Sequence, residues 1–448
     1  MKPSLPKGTR DFNPQQVNKR NYIIDTLKQV FTKFGYQPLE TPAVENLSTL
    51  TGKYGEEGDQ LLFKVLNNGH FLKDVDSAAL LALDSKKVAP SISKRGLRYD
   101  LTVPFARFVV MNQSNLAFPF RRYQIQPVWR GDRPQKGRYQ EFYQCDVDIV
   151  GSPSLINEVE LVQIFDQGYS ALGLDVTIKI NNRKVLAGLA EIAGIADQFS
   201  AMTVAIDKLD KIGVDGVRKE MIKREIPESA IKTIEAALQN TTLEQLKALL
   251  ADSEIGLKGI EELEYVFNKA IQLDLKNALE LDITLARGLN YYTGCILEVA
   301  SNEVQIGSIG GGGRYDDLTS AFGLKDVTGV GVSFGIARIF DCLDELDRFP
   351  ASTSDGTKIL FTFFDEQGFD LGFRLTTELR KAGVIAEVFP DVVKFRKQMK
   401  YANAREIPFV AIIGDNEIEN ETVSLKNMKT GDQESVPFSE LLARLTAG

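Results

Sequence analysis

The sequence predicts an α+β protein: a strand-bearing core interrupted by a helical block, followed by a small α/β unit. Three stretches carry that expectation. Residues Arg121–Gly151, RRYQIQPVWRGDRPQKGRYQEFYQCDVDIVG, read as two strands joined by a basic loop. From about residue 183 to 276, charged helix-forming sequence dominates and strand signals are few. Beyond RFPASTSDGT (348–357), which has the composition of a linker, strand and helix patterns alternate. At 448 residues the chain is too long for one hydrophobic core. The expected organisation is a core in two parts, 1–182 and 277–347, around an insertion at 183–276, then the linker and a unit at 358–448.

In chain order, Asn13-Pro14 reads as a helix start, with Asn as cap and Pro in the first turn. Val17, Ile23, Ile24, Leu27, Val30, Phe31 and Phe34 supply its apolar face, and Gly35 stops it. Pro38 and Pro42 mark YQPLETPAVE as an edge or irregular strand and a candidate interface. Residues 51–70 form a Gly-rich acidic loop leading into a strand. LRYDLTVPFARFVVMN (97–112) passes from strand into helix, with Pro104 in the first turn. Leu155–Leu172 is helical and ends at Gly173, and 174–182 alternates as a strand. Inside the helical block, Thr242 and Gln245 form a capping box before Leu246, Leu249 and Leu250. Strand texture returns at 281–300, and 327–346 reads as a Gly-rich strand running into a helix. Past the linker, KILFTFF, a helix at 368–382, VIAEVFP, a basic helix at 391–404, FVAIIG and VSLKNM alternate.

Composition narrows the chemistry. The net charge is −8, from 53 Lys+Arg against 61 Asp+Glu, so any nucleic-acid surface must be a local patch. Cys145, Cys295 and Cys342 follow no ligand spacing, which points to a reducing compartment and no zinc site. The N-terminus lacks the apolar core of a signal peptide and no apolar run reaches membrane-spanning length. A cytoplasmic protein without membrane contact is expected. The single histidine, His70 in NNGH, reads as a solvated loop residue. Chemistry here is therefore expected to work by positioning and electrostatics.

The strand pair holds the strongest chemical signal. Arg122, Gln124, Gln126 and Arg130 share one parity, and Phe142, Gln144, Asp146 and Asp148 lie opposite the apolar Tyr143, Cys145, Val147 and Ile149. Such a face is costly to bury unless a charged, hydrogen-bonding ligand rests on it. Arg133, Lys136 and Arg138 in the loop add a positive clamp suited to a phosphate-bearing ligand. Gly310–Gly313 is not a phosphate loop, for it lacks GxxxxGK[ST]. It reads either as backbone approached closely by a ligand, beside Arg314 and Tyr315, or as a structural strand. Arg287 before Tyr291 and Tyr292 can hold an anion and stack a flat ligand, or can be a surface arginine beside core tyrosines. Asp100 and Thr102 share strand parity and can bind an ammonium group, or cap the helix that follows. KFRKQMKYANAR (394–405), with Lys394, Arg396, Lys397 and Lys400, is the best RNA-binding candidate by composition, with a solvated amphipathic helix as the alternative.

Taken together, these motifs resemble the histidyl-tRNA synthetase family of class II aminoacyl-tRNA synthetases, nearly end to end. GTRDF through Thr41-Pro42 is similar to the class II dimer-forming motif, and WRGDRPQKGRYQEFYQCDVDIVG to the strand-loop-strand ATP motif. GVGVSFGIARI resembles the third class motif, with its arginine at Arg338. RGLNYYTG and GGGGRYDDL resemble the two histidine-pocket motifs peculiar to the family.

The resemblance implies a class II core with a six- or seven-stranded antiparallel sheet, and a C-terminal anticodon-binding domain. It implies a homodimer, and the substrates ATP with Mg²⁺, L-histidine and tRNA(His). By similarity Arg130, Arg138, Phe142 and Arg338 would bind ATP, with Phe142 on adenine. Asp100, Thr102, Gln144, Asp148, Tyr291, Tyr292 and Tyr315 would bind histidine, with Arg287 by its carboxylate. Arg130 and Arg287 would be the catalytic cations. Asn290 stands where the family usually has an acid, which reads as a tolerated variation. The competing expectation is a catalytically silent paralogue, such as the regulatory subunit of ATP phosphoribosyltransferase. The presence of Arg130, Arg287 and Arg338, and about ninety residues beyond the linker, favour the enzyme.

Overall fold

The computed structural model describes residues 2–51, 61–133, 139–239, 242–286, 292–316, 319–354 and 356–446. The chain forms two compact units, 1–349 and 350–448.

In the first unit the strands are β1 (Gln37–Pro38), β2 (Val44–Asn46), β3 (Lys64–Val65), β4 (Arg95–Leu97), β5 (Phe120–Trp129), β6 (Glu141–Val150), β7 (Val176–Asn182), β8 (Ala278–Leu281), β9 (Cys295–Ser301), β10 (Gly310–Tyr315) and β11 (Gly329–Phe334). Eight of them make one sheet in the order β1-β5-β6-β11-β10-β9-β7-β8, and β2-β4-β3 form a small second sheet. Six consecutive strands, β5 to β7 in that order, pair antiparallel. The expectation of six or seven antiparallel strands needs one correction. Two short edge strands, β1 and β8, add to the sheet in parallel. The prolines of YQPLETPAVE hold β1 to two residues at the edge, as their missing donors require.

One face of the sheet is covered by helices Pro14–Lys33, Ile156–Ala171 and Ile336–Glu345. The first is fixed by its cap: Asn13 Oδ1 accepts from Gln16 N at 2.8 Å, and Gln16 returns a bond to Asn13 N. Its buried Phe31 meets Phe334 of β11 at 5.6 Å between ring centroids, and Phe165 meets Phe334 at 5.0 Å. Each such fully buried side chain contributes about 1.5–3 kcal/mol. Between Arg183 and Leu273 the described residues form helices and turns only. Val185, Leu186, Ile260 and Leu263 of this block join the same continuous core as Cys145, Val147 and Ile149 of β6. The block therefore braces the sheet from behind.

The second unit carries a five-stranded sheet of β12 (Ile359–Phe363), β13 (Ala386–Val388), β14 (Phe409–Ile413), β15 (Thr422–Asn427) and β16 (Gln433–Pro437), ordered β13-β12-β14-β15-β16. Its basic helix spans Phe395–Ala404. Gln398 faces inward and bonds both the amide and the carbonyl of Phe363. Lys394, Arg396, Lys397 and Lys400 are left exposed.

Candidate active site

The face of the large sheet turned away from the three covering helices holds the charged residues, and strand register fixes who meets whom. Asp148 on β6 stands opposite Arg122 on β5 and Gly331 on β11. A Cβ on Gly331 would lie 2.0 Å from Asp148 Oδ1, so only glycine leaves room for that carboxylate. Gly329 does the same for the Tyr315 ring, 2.4 Å from its notional Cβ. Asp148 then gains two partners: Tyr315 Oη donates to it at 2.5 Å, and Arg122 Nη2 lies 2.8 Å from its other oxygen. Arg122 is fully buried and its guanidinium also lies 4.3 Å from the centre of the Phe105 ring. The Tyr292 ring packs over Gly313 on β10, the neighbour of Gly331 in register. Asp148, Tyr292 and Tyr315 thus gather over the glycines of β10 and β11, a cluster termed the glycine-floored depression. The Gly-rich strands are structural in pairing and also make room for these three side chains.

At the other end of the strand pair, Arg130 Nε donates to Tyr99 O at 2.9 Å, and its guanidinium stands 5.2 Å from the Phe142 ring centre. Trp129 N donates to Arg98 O, so residues 98–101 are tied to the end of β5. Asp100 lies in that tied segment, buried, and its Oδ1 accepts from Val103 N at 3.3 Å. The strand parity expected for Asp100 and Thr102 does not hold. β4 stops at Leu97, and Thr102 is already the first residue of helix Thr102–Asn112, whose cap position is Leu101; Asp100, one residue earlier, reaches its first turn only through Val103 N. Arg338, from the helix after β11, donates to Ser308 O.

Part of the polar face is bonded within the protein. Arg98 Nη1 donates to Thr41 O at 2.5 Å and to Gln126 Oε1 at 2.9 Å. Gln124 Nε2 reaches Thr41 Oγ1 and Gln126 Oε1. No strand parity or motif in the sequence marks Arg98. Arg314 faces the opposite side and pairs with the buried Glu158 at 2.5 and 2.7 Å, which removes it from the depression.

Burial raises the carboxyl of Asp148 above its ordinary range, while Arg122 and the Tyr315 hydroxyl pull it back down. Asp146, between Gln144 and Asp148 on the same face, is pushed up to about 7 by burial, against the pull of Arg122. Tyr315 is held well above the usual phenol value, so its hydroxyl stays a donor. Asp100, Asp146 and Asp148 therefore lie close together, with the buried Arg122 as the cation that acts on Asp146 and Asp148. That imbalance suits a cationic small molecule. Asp146 is the member that parity located without assigning it a part.

Arg138, Arg287, Asn290 and Tyr291 lie outside the described residues. Lys394, Arg396, Lys397 and Lys400 belong to the second unit. His70 is exposed in a bend, and Cys145, Cys295 and Cys342 are free and buried. Among the described residues no group of three or more His, Cys, Asp or Glu side chains could hold a metal, and no helix is long and apolar enough to cross a membrane.

Comparison with known proteins converges on one family. The family profile described as histidyl-tRNA synthetase matches residues 8–72 and 77–339, and an anticodon binding domain profile matches 361–447. A histidine–tRNA ligase of Phocaeicola vulgatus is 54% identical, over 100% of this chain and 99% of its own length. One of Christiangramia forsetii is 55% identical over 99% of both. Among solved structures, histidyl-tRNA synthetase from Nostoc superposes with a TM-score of 0.82 at 28% identity, covering 100% of this chain and 99% of that one. A structure from Bacillus halodurans titled ATP phosphoribosyltransferase regulatory subunit/histidyl-tRNA synthetase shares the fold, with a TM-score of 0.71 at 20% identity, over 89% of this chain and 96% of that one. With profile, full-length relatives and fold in agreement, the chain belongs to the histidyl-tRNA synthetase family.

Proposed function

We propose that this chain is a histidine–tRNA ligase. It joins L-histidine to ATP, giving histidyl-adenylate and pyrophosphate, and then moves the histidyl group to the 3′-terminal adenosine of tRNA(His). The observation that carries the reading is the glycine-floored acidic depression of Asp148, Tyr315 and Tyr292, beside Arg130 and Phe142 on the same strand pair. In the first step a histidine carboxylate oxygen attacks the α-phosphorus, and the bond to pyrophosphate breaks. The nucleophile is already ionised, so no general base is needed. What is needed is cation placed where two anions meet.

Arg130 would supply that cation at the α-phosphate, and its tie to Tyr99 O fixes the fork. Arg287 would neutralise the histidine carboxylate, and Arg138 would make a further phosphate contact. Phe142 would stack on adenine, and Arg338 would bind the γ-phosphate end. Asp100 would take the α-ammonium group with Thr102 and Gln144. Asp148 would meet the imidazole with Tyr292, Tyr315 and Tyr291. Mg²⁺ would come bound to the phosphates of ATP, a mode that needs at most one or two protein carboxylates and relieves phosphate repulsion.

The second unit would grip the anticodon region, with Lys394, Arg396, Lys397 and Lys400 as phosphate contacts. The domain layout is then a core in two parts around a bracing helical insertion, with a separate anticodon unit. A cytoplasmic homodimer is the expected form, joined through the N-terminal motif. The match of 361–447 to an anticodon-binding profile favours the ligase over the regulatory paralogue. The test is charging of tRNA(His) by purified protein with labelled histidine and ATP. Acid-stable, base-labile label on the tRNA is expected, and a protein that charges no tRNA would overturn the proposal.

A further inference from the structure

We infer that Asp146 is a positioning residue: it holds the Gln144 carboxamide so that the acceptor oxygen faces the amino-acid site. The inference rests on the histidine-activating reading above and adds a residue to it. Asp146 lies two residues after Gln144 on β6, on the same face, and is 3% exposed. Gln144 Nε2 donates to Asp146 Oδ1 at 3.4 Å. A carboxylate can only accept, so the side of the amide turned to it must be the NH₂ group. Gln144 Oε1 is thereby turned the other way. It is buried and has no hydrogen-bond partner among the described residues. An orphaned buried acceptor is costly, and a substrate ammonium group satisfies it.

Asp146 is itself held by two groups and repelled by two others. Ser333 stands opposite it on β11 and donates a hydrogen bond, while Arg122 on β5 attracts it. Asp148 on β6 and Asp100 ahead of helix Thr102–Asn112 repel it. A carboxamide with nothing to fix it can present either end to a ligand. Next to an anion it presents only one.

The test is a mutant cycle in histidine-dependent pyrophosphate exchange at about pH 8, where the carboxylate is ionised. Asp146→Ala is expected to raise KM for histidine about tenfold, the worth of one charge-assisted bond. KM for ATP and the melting temperature should stay near the wild-type values. Asp146→Asn, which keeps an acceptor oxygen but adds a donor that can face Gln144, should recover only part of the loss. Added to Gln144→Ala, Asp146→Ala should cost nothing further in histidine KM, because its effect passes through Gln144. An unchanged histidine KM in Asp146→Ala, or losses that multiply in the double variant, would overturn the inference alone. Absence of exchange with histidine in the wild type would overturn the underlying reading and the inference with it.

Discussion

Tyr315→Phe isolates one bond in the depression without changing volume. The hydroxyl donates to Asp148 Oδ1 at 2.5 Å, and both residues are buried, so no water replaces it. A buried hydrogen bond to a charged group is worth about 1.5–3 kcal/mol. The remaining partner, Arg122 at 2.8 Å, keeps the carboxylate paired, so the fold should survive. The sign with pH follows from the direction of the Asp148 shift. Its folded-state pKa is raised by burial, so the native state binds this proton more readily than the unfolded chain. Asp148 therefore weakens stability at alkaline pH, and that penalty fades as pH falls through the folded pKa. Tyr315→Phe removes an interaction that pulls the pKa down, so the penalty grows and extends to higher pH. Urea unfolding from about pH 5 to about pH 9 should show the largest destabilisation at the alkaline end. Histidine KM in pyrophosphate exchange should rise about ten- to hundredfold if the same 1.5–3 kcal/mol serves binding. Destabilisation that is flat across this range, or histidine KM within twofold of wild type, would refute the assignment of the hydroxyl to a charged Asp148.

Three further substitutions probe separate parts of the site. Gly331→Ala places a methyl 2.0 Å from Asp148 Oδ1 and 2.9 Å from Val147 O, so about 1–3 kcal/mol of stability should be lost, with weakened histidine binding. Thermal unfolding and histidine titration check both. Arg130→Lys keeps the charge but loses the guanidinium fork anchored at Tyr99. The rate of adenylate formation in rapid-quench assays should fall about a hundredfold, with histidine affinity little changed. Replacing the exposed Lys397 and Lys400 with Glu should raise KM for tRNA(His) several-fold in a salt-dependent way. Pyrophosphate exchange without tRNA should be unaffected, and an equal loss in both assays would argue against an RNA-contacting role.

Much of this was legible in the strand pair, because a period of two sorts side chains onto faces with no knowledge of partners. It located the helix-covered and charged faces of β6 correctly. What parity cannot tell is which charges are already satisfied. Arg122, Gln124 and Gln126 look alike in sequence, yet Gln124 and Gln126 close a network with Thr41 and Arg98, residues from distant segments. Arg314 sits beside Tyr315 but faces Glu158, since neighbours on a strand point apart. In sequence the glycines of β11 mark only a Gly-rich strand. Their purpose appears only when register sets Gly331 opposite Asp148 and Gly329 opposite Tyr315. β1 and β8 are too short for periodicity to declare their parallel pairing. β16, QESVP, has one buried residue and hence no apolar pattern to find.

The central claim is that the acidic, glycine-floored depression selects histidine for adenylation. Pyrophosphate exchange measured with each of the twenty amino acids in turn tests it most directly. The account predicts exchange with histidine alone. Exchange with none, or preference for another amino acid, would contradict it.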